Sequence, residues 1–364
     1  MTTTRAPIGV PAEYASAATR PRAENEVIAL KHGFGGKAMR RLIGETLAAG
    51  FVDIPVDGYG LSAMDDGAAL RIGDKWLVVT TDAHVVHPVF FPGGDIGRLA
   101  VAGTVNDLAM MGATEPLGLT CAVVIEEGFP RADLERIHGS MLRTCREAGT
   151  TVLTGDTKVM GRGDVDGIVI TTTGVALTSC VIRDAALQPG DRLIVTGTIG
   201  DHGVALMARR HELMLDGDLQ SDCAPLNRMI RDALHLAPGA IVAMKDPTRG
   251  GLSSALHEMA QKSAVGIVIR ERDVPLRDDV RAAAEVLGLD CFHIANEGKA
   301  LLGVRGGDAA VSAVLDALHR HAAGVNAAEI GECVANRGGD VVLDTGLGKR
   351  LMIESEGEPL PRIC

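Results

Sequence analysis

Apolar positions along this chain recur with two distinct periods. Between residues 131 and 148, Leu134, Ile137, Met141 and Cys145 follow one another at three- and four-residue steps, the spacing that lines one face of an α-helix. Met39, Leu42, Ile43, Thr46 and Leu47 repeat it, and Gly50 ends that helix. Unbroken apolar runs at 76–82, 119–125, 151–156 and 168–176 read instead as buried strands. Residues 96–112 predict a helix of small side chains with Asn106 and Asp107 inside it. The turn signal Gln188-Pro-Gly-Asp191 precedes a strand at 192–196. Beyond it, strands at 266–270 and 301–305 alternate with helices at 251–262, 280–287 and 309–321. This order predicts an α/β (α+β) fold in two lobes, 28–180 and 181–345, between an N-terminal extension at 1–27 and a flexible tail at 346–364.

Composition narrows the picture. Hydrophobic residues make up 46% of the 364 positions but aromatics only 2%, so both cores must be built from Ala, Val, Leu, Ile and Met. A net charge of −11 argues against nucleic acid as a partner, which needs a basic face. No apolar run approaches the ~20 residues of a membrane span. Residues 1–26 lack the apolar segment of a signal peptide and read as a disordered extension. Seven scattered cysteines without a Cys-x-x-Cys pair fit a reducing cytoplasm. The last of them, Cys364, ends the chain behind Pro359 and Pro361, which stiffen the tail into an arm that holds out a thiol.

Candidate chemistry gathers at strand ends. Asp65 and Asp66, Asp82, Asp107 beside Asn106, and Asp156 all close or flank apolar segments. Any one of them suits a turn or a helix cap. Carboxylates brought together would repel one another without a cation, and oxygen ligands suit Mg²⁺ shared with phosphate. Glycine-rich stretches at 33–36, 92–97 and 155–158 offer backbone N–H groups to phosphate. Lys158 reads either as a phosphate or proton-transfer group or as a solvated loop lysine. The segment Lys245-Asp-Pro-Thr-Arg-Gly-Gly251 stands before a helix and aims Arg249 at an anion. Glu297, His32 and His293 are candidate acids and bases with equally ordinary structural readings. Neither Gly-x-Gly-x-x-Gly after a first strand nor a Walker lysine motif is present, which excludes the common nucleotide sites.

Taken together, His32-Gly-Phe-Gly-Gly36, Phe90-Phe-Pro-Gly-Gly-Asp-Ile-Gly97, Gly103-Thr-Val-Asn-Asp-Leu-Ala109 and Thr154-Gly-Asp-Thr-Lys-Val159 carry a family resemblance. Gly200-Asp-His-Gly203, Asp246-Pro-Thr-Arg-Gly-Gly251, Asn296-Glu-Gly-Lys299 and Pro361-Arg-Ile-Cys364 extend it. Over about residues 28–364 the chain resembles the hydrogenase maturation family HypE. That family lies in the superfamily of aminoimidazole ribonucleotide synthetase, selenophosphate synthetase and thiamine monophosphate kinase. The terminal cysteine points to HypE within it.

The resemblance implies a two-domain aminoimidazole ribonucleotide synthetase-like architecture: an N-terminal α/β domain that dimerises through a shared β-barrel, and a C-terminal α/β domain. It implies ATP and Mg²⁺ in a cleft, with Asp65, Asp82 and Asp107 on the metal; Asp66 leaves open which of the two neighbouring acids faces it. Nucleotide contacts are expected from His32, Gly35 and Gly36, from Asn106, from Gly155, Asp156, Thr157 and Lys158, and from Asp246 and Arg249. A HypF-type carbamoyltransferase would load Cys364 with a carbamoyl group. ATP-driven dehydration would turn it into a thiocyanate, with Lys158 and Glu297 relaying protons. Cyanide would pass to an iron-carrying HypC–HypD-type complex. Competing readings are another amide-activating or phosphotransfer enzyme of the superfamily, or a nucleotide-gated scaffold that delivers a ligand on its tail. Selenophosphate synthetase would place Cys or selenocysteine in the early glycine stretch, which has none. Prenylation of the tail is a weak third reading, since it calls for a cysteine four residues from the end and Cys364 is the last residue.

Overall fold

A computed structural model of the chain describes residues 27–53, 56–212, 218–354 and 363–364. The expected disordered extension at 1–26 and most of the expected tail, 355–362, lie outside the described residues. A short helix α1 (Gly36–Leu42) continues as a π-helical turn at Ile43–Leu47. The strands β1 (Gly58–Tyr59), β2 (Ala68–Ile72) and β3 (Lys75–His84) then follow. A tight hairpin of β4 (Phe90–Phe91) and β5 (Gly94–Asp95) leads into α2 (Ile96–Met110). The lobe is completed by β6 (Pro116–Glu126), α3 (Arg131–Ala148), β7 (Val152–Met160) and β8 (Ile168–Thr178). Six strands form one sheet in the order β1-β2-β3-β8-β6-β7, antiparallel except for the parallel pair β6–β7.

Helix α2 is the hub of the molecule. Asp95 caps it by accepting from the N–H groups of Gly97 (2.8 Å) and Arg98 (3.0 Å). All its residues are buried except Arg98 and Asp107. A helix that is apolar all round must be covered on every side. Here β3, β8 and α3 cover it from its own lobe and the helix at Asn227–Leu236 from the other. Gly97 lets α3 approach, since a Cβ there would lie 2.6 Å from the Ile137 carbonyl. The face of α3 expected from its spacing is the buried one, with Ile137, Met141 and Cys145 inside.

The second lobe runs through β9 (Arg192–Val195), α4 (Asp201–Arg210), α5 (Asn227–Leu236), β10 (Ile241–Lys245) and α6 (Gly251–Ser263). It continues with β11 (Gly266–Arg270), α7 (Asp278–Leu287), β12 (Leu301–Val304), α8 (Gly307–Leu318) and β13 (Ala328–Val334). The last strands are β14 (Val341–Asp344) and β15 (Lys349–Leu351). Seven strands pair in the order β10-β12-β9-β13-β11-β14-β15. Because β15 pairs antiparallel with β14, ordered sheet extends past Gly346, where the tail was expected to begin. Glu354 is buried too and pairs with Arg40 of α1. One apolar cluster joins Val86, Phe91 and Leu99 of the first lobe to Val204 and Val280 of the second, so the lobes share a core along α2 and the loop after β3. No helix among the described residues is long and apolar enough to cross a membrane.

Candidate active site

Four acids meet where α2, the end of β3 and two loops of the second lobe converge. Asp107 is the polar break in buried α2, and the Thr80 hydroxyl of β3 donates to its Oδ2 at 2.8 Å. Burial, then the neighbouring charges of Asp246, Asp82 and Asp66, push its carboxyl well above the usual range. Asp246 follows β10, and burial with the Asp66 charge raises it to about 8. Glu297 is raised well above its ordinary value by burial and then by Asp246 and Asp82. Its Oε1 is buried with no hydrogen-bond partner among the described residues. Asp82 behaves oppositely: burial works against its charge, but the buried His84 ring, 3.1 Å from its Oδ2, holds the carboxyl below the usual range. Gly103 of α2 makes room for this pair, since a Cβ there would lie 2.9 Å from His84 Nε2.

Asp65 and Asp66, adjacent in sequence, enter different environments. The Arg183 guanidinium grips both Asp65 oxygens, at 2.5 and 3.3 Å, and Lys262 stands 3.5 Å away. Burial and nearby Asp184 raise Asp65 to about 6. Asp66 instead pairs with Lys245 Nζ at 2.6 Å, and its charge is felt by Asp107 and Asp246. Lys245 also reaches Glu258 (3.1 Å) and Asp184 (3.4 Å), so a buried ionic lattice ties the two lobes beneath the acids.

The mouth of the cleft is a cavity of about 530 Å³ lined by Ile28 to Leu30, His32 to Phe34, Ala83, Val85, Arg249 and the C-terminal Ile363 and Cys364. Gly35, at φ 81°, lies against Arg249: a Cβ would sit 2.8 Å from the Arg249 carbonyl, so only glycine passes. Arg249 is raised first by Cys364 and then, against burial, by Asp82, Glu297 and Asp107. The terminal residue and three of the gathered acids thus converge electrostatically on one guanidinium. The Val85 N–H donates to the Cys364 main-chain oxygen at 3.1 Å, and Ile363 is buried.

Two family models cover most of the chain: AIR synthase related protein, N-terminal domain, at residues 64–178, and AIR synthase related protein, C-terminal domain, at 188–344. Carbamoyl dehydratase HypE of Rhizobium leguminosarum bv. viciae is 45% identical over 93% of this chain and 96% of its own length. This chain belongs to the HypE family. Two solved structures agree. HypE in complex with ATP matches with a TM-score of 0.76 and 40% identity, over 93% of this chain and all of that one. HypE in a HypE–HypF complex matches with a TM-score of 0.79 and 41% identity, over 86% and 99%.

Of the residues singled out from the sequence, the structure brings His32, Gly35, Gly36, Asp66, Asp82, Asp107, Asp246, Arg249, Glu297 and Cys364 to one cleft of this HypE-family chain. Gly155, Asp156, Thr157 and Lys158 stand elsewhere, and as strand, not loop. They lie in β7, the outer edge of the first sheet, where every residue is exposed and Lys158 pairs with Asp156 at 2.8 Å. The physical reason is the parallel ladder with β6: a Cβ on Gly155 would come within 2.1 Å of the Cys121 carbonyl, so this glycine serves strand approach. Residues 92–97 likewise form the β4–β5 hairpin and cap α2, and Gly93 packs on the Ser221 backbone.

Asn106 is buried, and its amide is spent on Ala224 O (3.1 Å), Glu297 O (3.4 Å) and the Leu226 N–H (2.8 Å), so it positions the Glu297 segment. Asn296 does the same within the second lobe, accepting from the Gly200 N–H and donating to Pro247 O. His293 is half-buried with its pKa lowered by burial. Sequence reading missed His84, Asp184, Lys262 and Glu258. His84, two residues beyond Asp82 on one strand face, was the one with a usable signal.

Proposed function

We propose that this chain is an ATP-dependent carbamoyl dehydratase that works on its own C-terminal cysteine in [NiFe]-hydrogenase maturation. The observation that carries this reading is Cys364 itself, docked in the cavity with Arg249 and the glycine segment. A terminal thiol has no structural reason to be drawn into a cleft of acids. As the carrier of a reacting group, it must be there.

The chemistry follows from the bonds. A carbamoyl group on sulfur, S–C(=O)–NH₂, loses oxygen only if that oxygen becomes a good leaving group. The amide oxygen attacks the γ-phosphorus of ATP and ADP departs, leaving an O-phosphorylated carbon. One proton leaves nitrogen as charge builds on oxygen. The C–O bond then breaks, phosphate leaves, and loss of the second N–H proton completes S–C≡N. Arg249 is placed to offset charge on the transferring phosphoryl group. Glu297, buried and with one oxygen unpartnered, holds a proton more readily than an ordinary carboxyl and serves the relay.

Mg²⁺ fits the donor set without being fully encaged. Among the described residues no three His, Cys, Asp or Glu side chains are grouped so that they could hold a metal ion. Asp66, Asp82 and Asp107 supply hard oxygens whose mutual repulsion a cation relieves, and Mg²⁺ takes few carboxylates when phosphates complete its shell. Asp66, not the Arg183-bound Asp65, is the member of the early acid pair that faces it. Bound there, the cation would neutralise the phosphates. A HypF-type carbamoyltransferase is the loading partner, a HypC–HypD-type complex takes the cyanide, and the setting is cytoplasmic.

Mass spectrometry of the C-terminal peptide tests the reaction. After incubation with ATP and a carbamoyl-donor system, the carbamoylated peptide should lose one water, and Cys364→Ala should show neither modification while still binding ATP. A carbamoylated tail that keeps its oxygen in the presence of ATP would sink the proposal.

A further inference from the structure

We propose that His202 is the positioning residue that locks the docked C-terminus in place, with Ile363 as the side chain that sets its depth. This deepens the reading of Cys364 as the carrier and rests on it. His202 lies on α4, fully buried, and has no part in the chemistry above. Its Nε2 stands 2.7 Å from the Ile363 carbonyl. Its Nδ1 stands 2.7 Å from Ser221 Oγ, which in turn accepts the Cys223 N–H at 3.1 Å. The Ile363 carbonyl can only accept, so Nε2 carries a proton, and in the neutral ring Nδ1 then accepts from the Ser221 hydroxyl. The ring is therefore neutral with its proton on Nε2, aimed at the tail, and burial favours this uncharged form. Phe91 packs edge-on at 5.5 Å and holds the ring plane.

Ile363 supplies the second half of the lock. It is 3% exposed in a position, next to the chain end, where burial is the exception. It joins the apolar cluster of Val86, Phe91 and Val204 that spans both lobes. With the Ile363 carbonyl on His202 and the Cys364 oxygen on the Val85 N–H, two consecutive main-chain oxygens are fixed. The thiol on the last residue is then held at one depth beside Arg249.

The test reads the thiol directly, on the full chain, without ATP or carbamoyl donor. Native-state alkylation by N-ethylmaleimide is followed at Cys364 in the peptide released by cleavage after glutamate, with buried Cys145 and Cys333 as reporters of global opening. His202→Leu, which keeps bulk but lacks the donor, should speed Cys364 alkylation by about tenfold, and His202→Gln, whose amide reaches the same place, should restore much of the protection. Ile363→Ala, which trims the tail's own contact with that cluster next to the chain end, should speed it by about ten- to thirtyfold, with Cys145 and Cys333 showing whether the core has loosened as well. Cys364 reactivity that stays at the wild-type rate in Ile363→Ala overturns the anchor. A rate in His202→Leu that is unchanged, or that rises only in parallel with Cys145 and Cys333, overturns the clamp. If the dehydration reading failed, protection of Cys364 would still be measurable; if the lock failed, the water-loss experiment would still stand.

Discussion

At the scale of single residues, the cleft is built to be uncomfortable. Asp246 is raised to about 8, and Asp107 and Glu297 are raised as well, each first by burial and then by its acidic neighbours. The consequence for stability has a definite sign. An Asp whose folded pKa exceeds its unfolded value of 3.8 holds in the fold a proton that the unfolded chain has released. Its contribution is fully present below the unfolded value and is lost as pH rises through the folded one. In chelator, the thermal midpoint should therefore fall as pH rises from 5 to about 8. Asp246→Asn should flatten that slope and, at pH 8, stabilise the protein by on the order of 2 kcal/mol, because an amide needs no counter-charge. A midpoint that climbs across the same window, or an Asn variant with the wild-type slope, would contradict the account.

At the scale of elements, what could be read in advance was what local periodicity encodes. Helix α3 and the strand β11 fall where their apolar spacing put them, and α2 announced itself as a run of small residues. The helices α4 and α5 were not read from the sequence, although α5 buries Met229, Ile230 and Ala233 at helical spacing. Strand β7 was misread at its centre: Gly155-Asp-Thr-Lys158 has turn composition, while parallel pairing with β6 overrides it. Legible site residues were those in glycine-flanked strings, such as Arg249 and Glu297. Asp184 and Lys262 were not, since an ionic lattice between distant segments leaves no mark on either segment alone. Asn106 shows how an element-level role hides inside a motif. It joins α2 to residues 224, 226 and 297. Asn106→Ala would strand the buried Leu226 N–H and free the Glu297 loop. Urea unfolding should show a loss of about 2–3 kcal/mol, with dehydration falling further than global stability explains. An unchanged midpoint would remove Asn106 from the positioning role.

At the scale of the whole molecule, one chain leaves β7 unexplained. It is an edge strand with every residue exposed, carrying Leu153 at 62% and Val159 at 69% exposure beside Leu117 at 57%. Bare apolar edges invite pairing, and proteins that must stay single blunt them. A second copy of this chain is the occupant that the homodimer expectation supplies, and if it covers β7 it would bear on the reaction as well as on mass. Lys158 on this exposed strand pairs with Asp156 at 2.8 Å and stands away from the gathered acids. Enclosed by a partner, the same lysine loses water and can join the relay assigned to it with Glu297. Val159→Asp places a charge near the end of this edge strand, at an exposed position outside either lobe's core. Sedimentation should then report one chain instead of two, since a stable interface needs about 1,200 Å² or more of well-packed surface. Dehydration of the carbamoylated tail should drop with assembly, while nucleotide binding in the cleft of each chain persists. A variant that remains dimeric, or a monomer that dehydrates its tail at the wild-type rate, would show that β7 and Lys158 act outside the reaction.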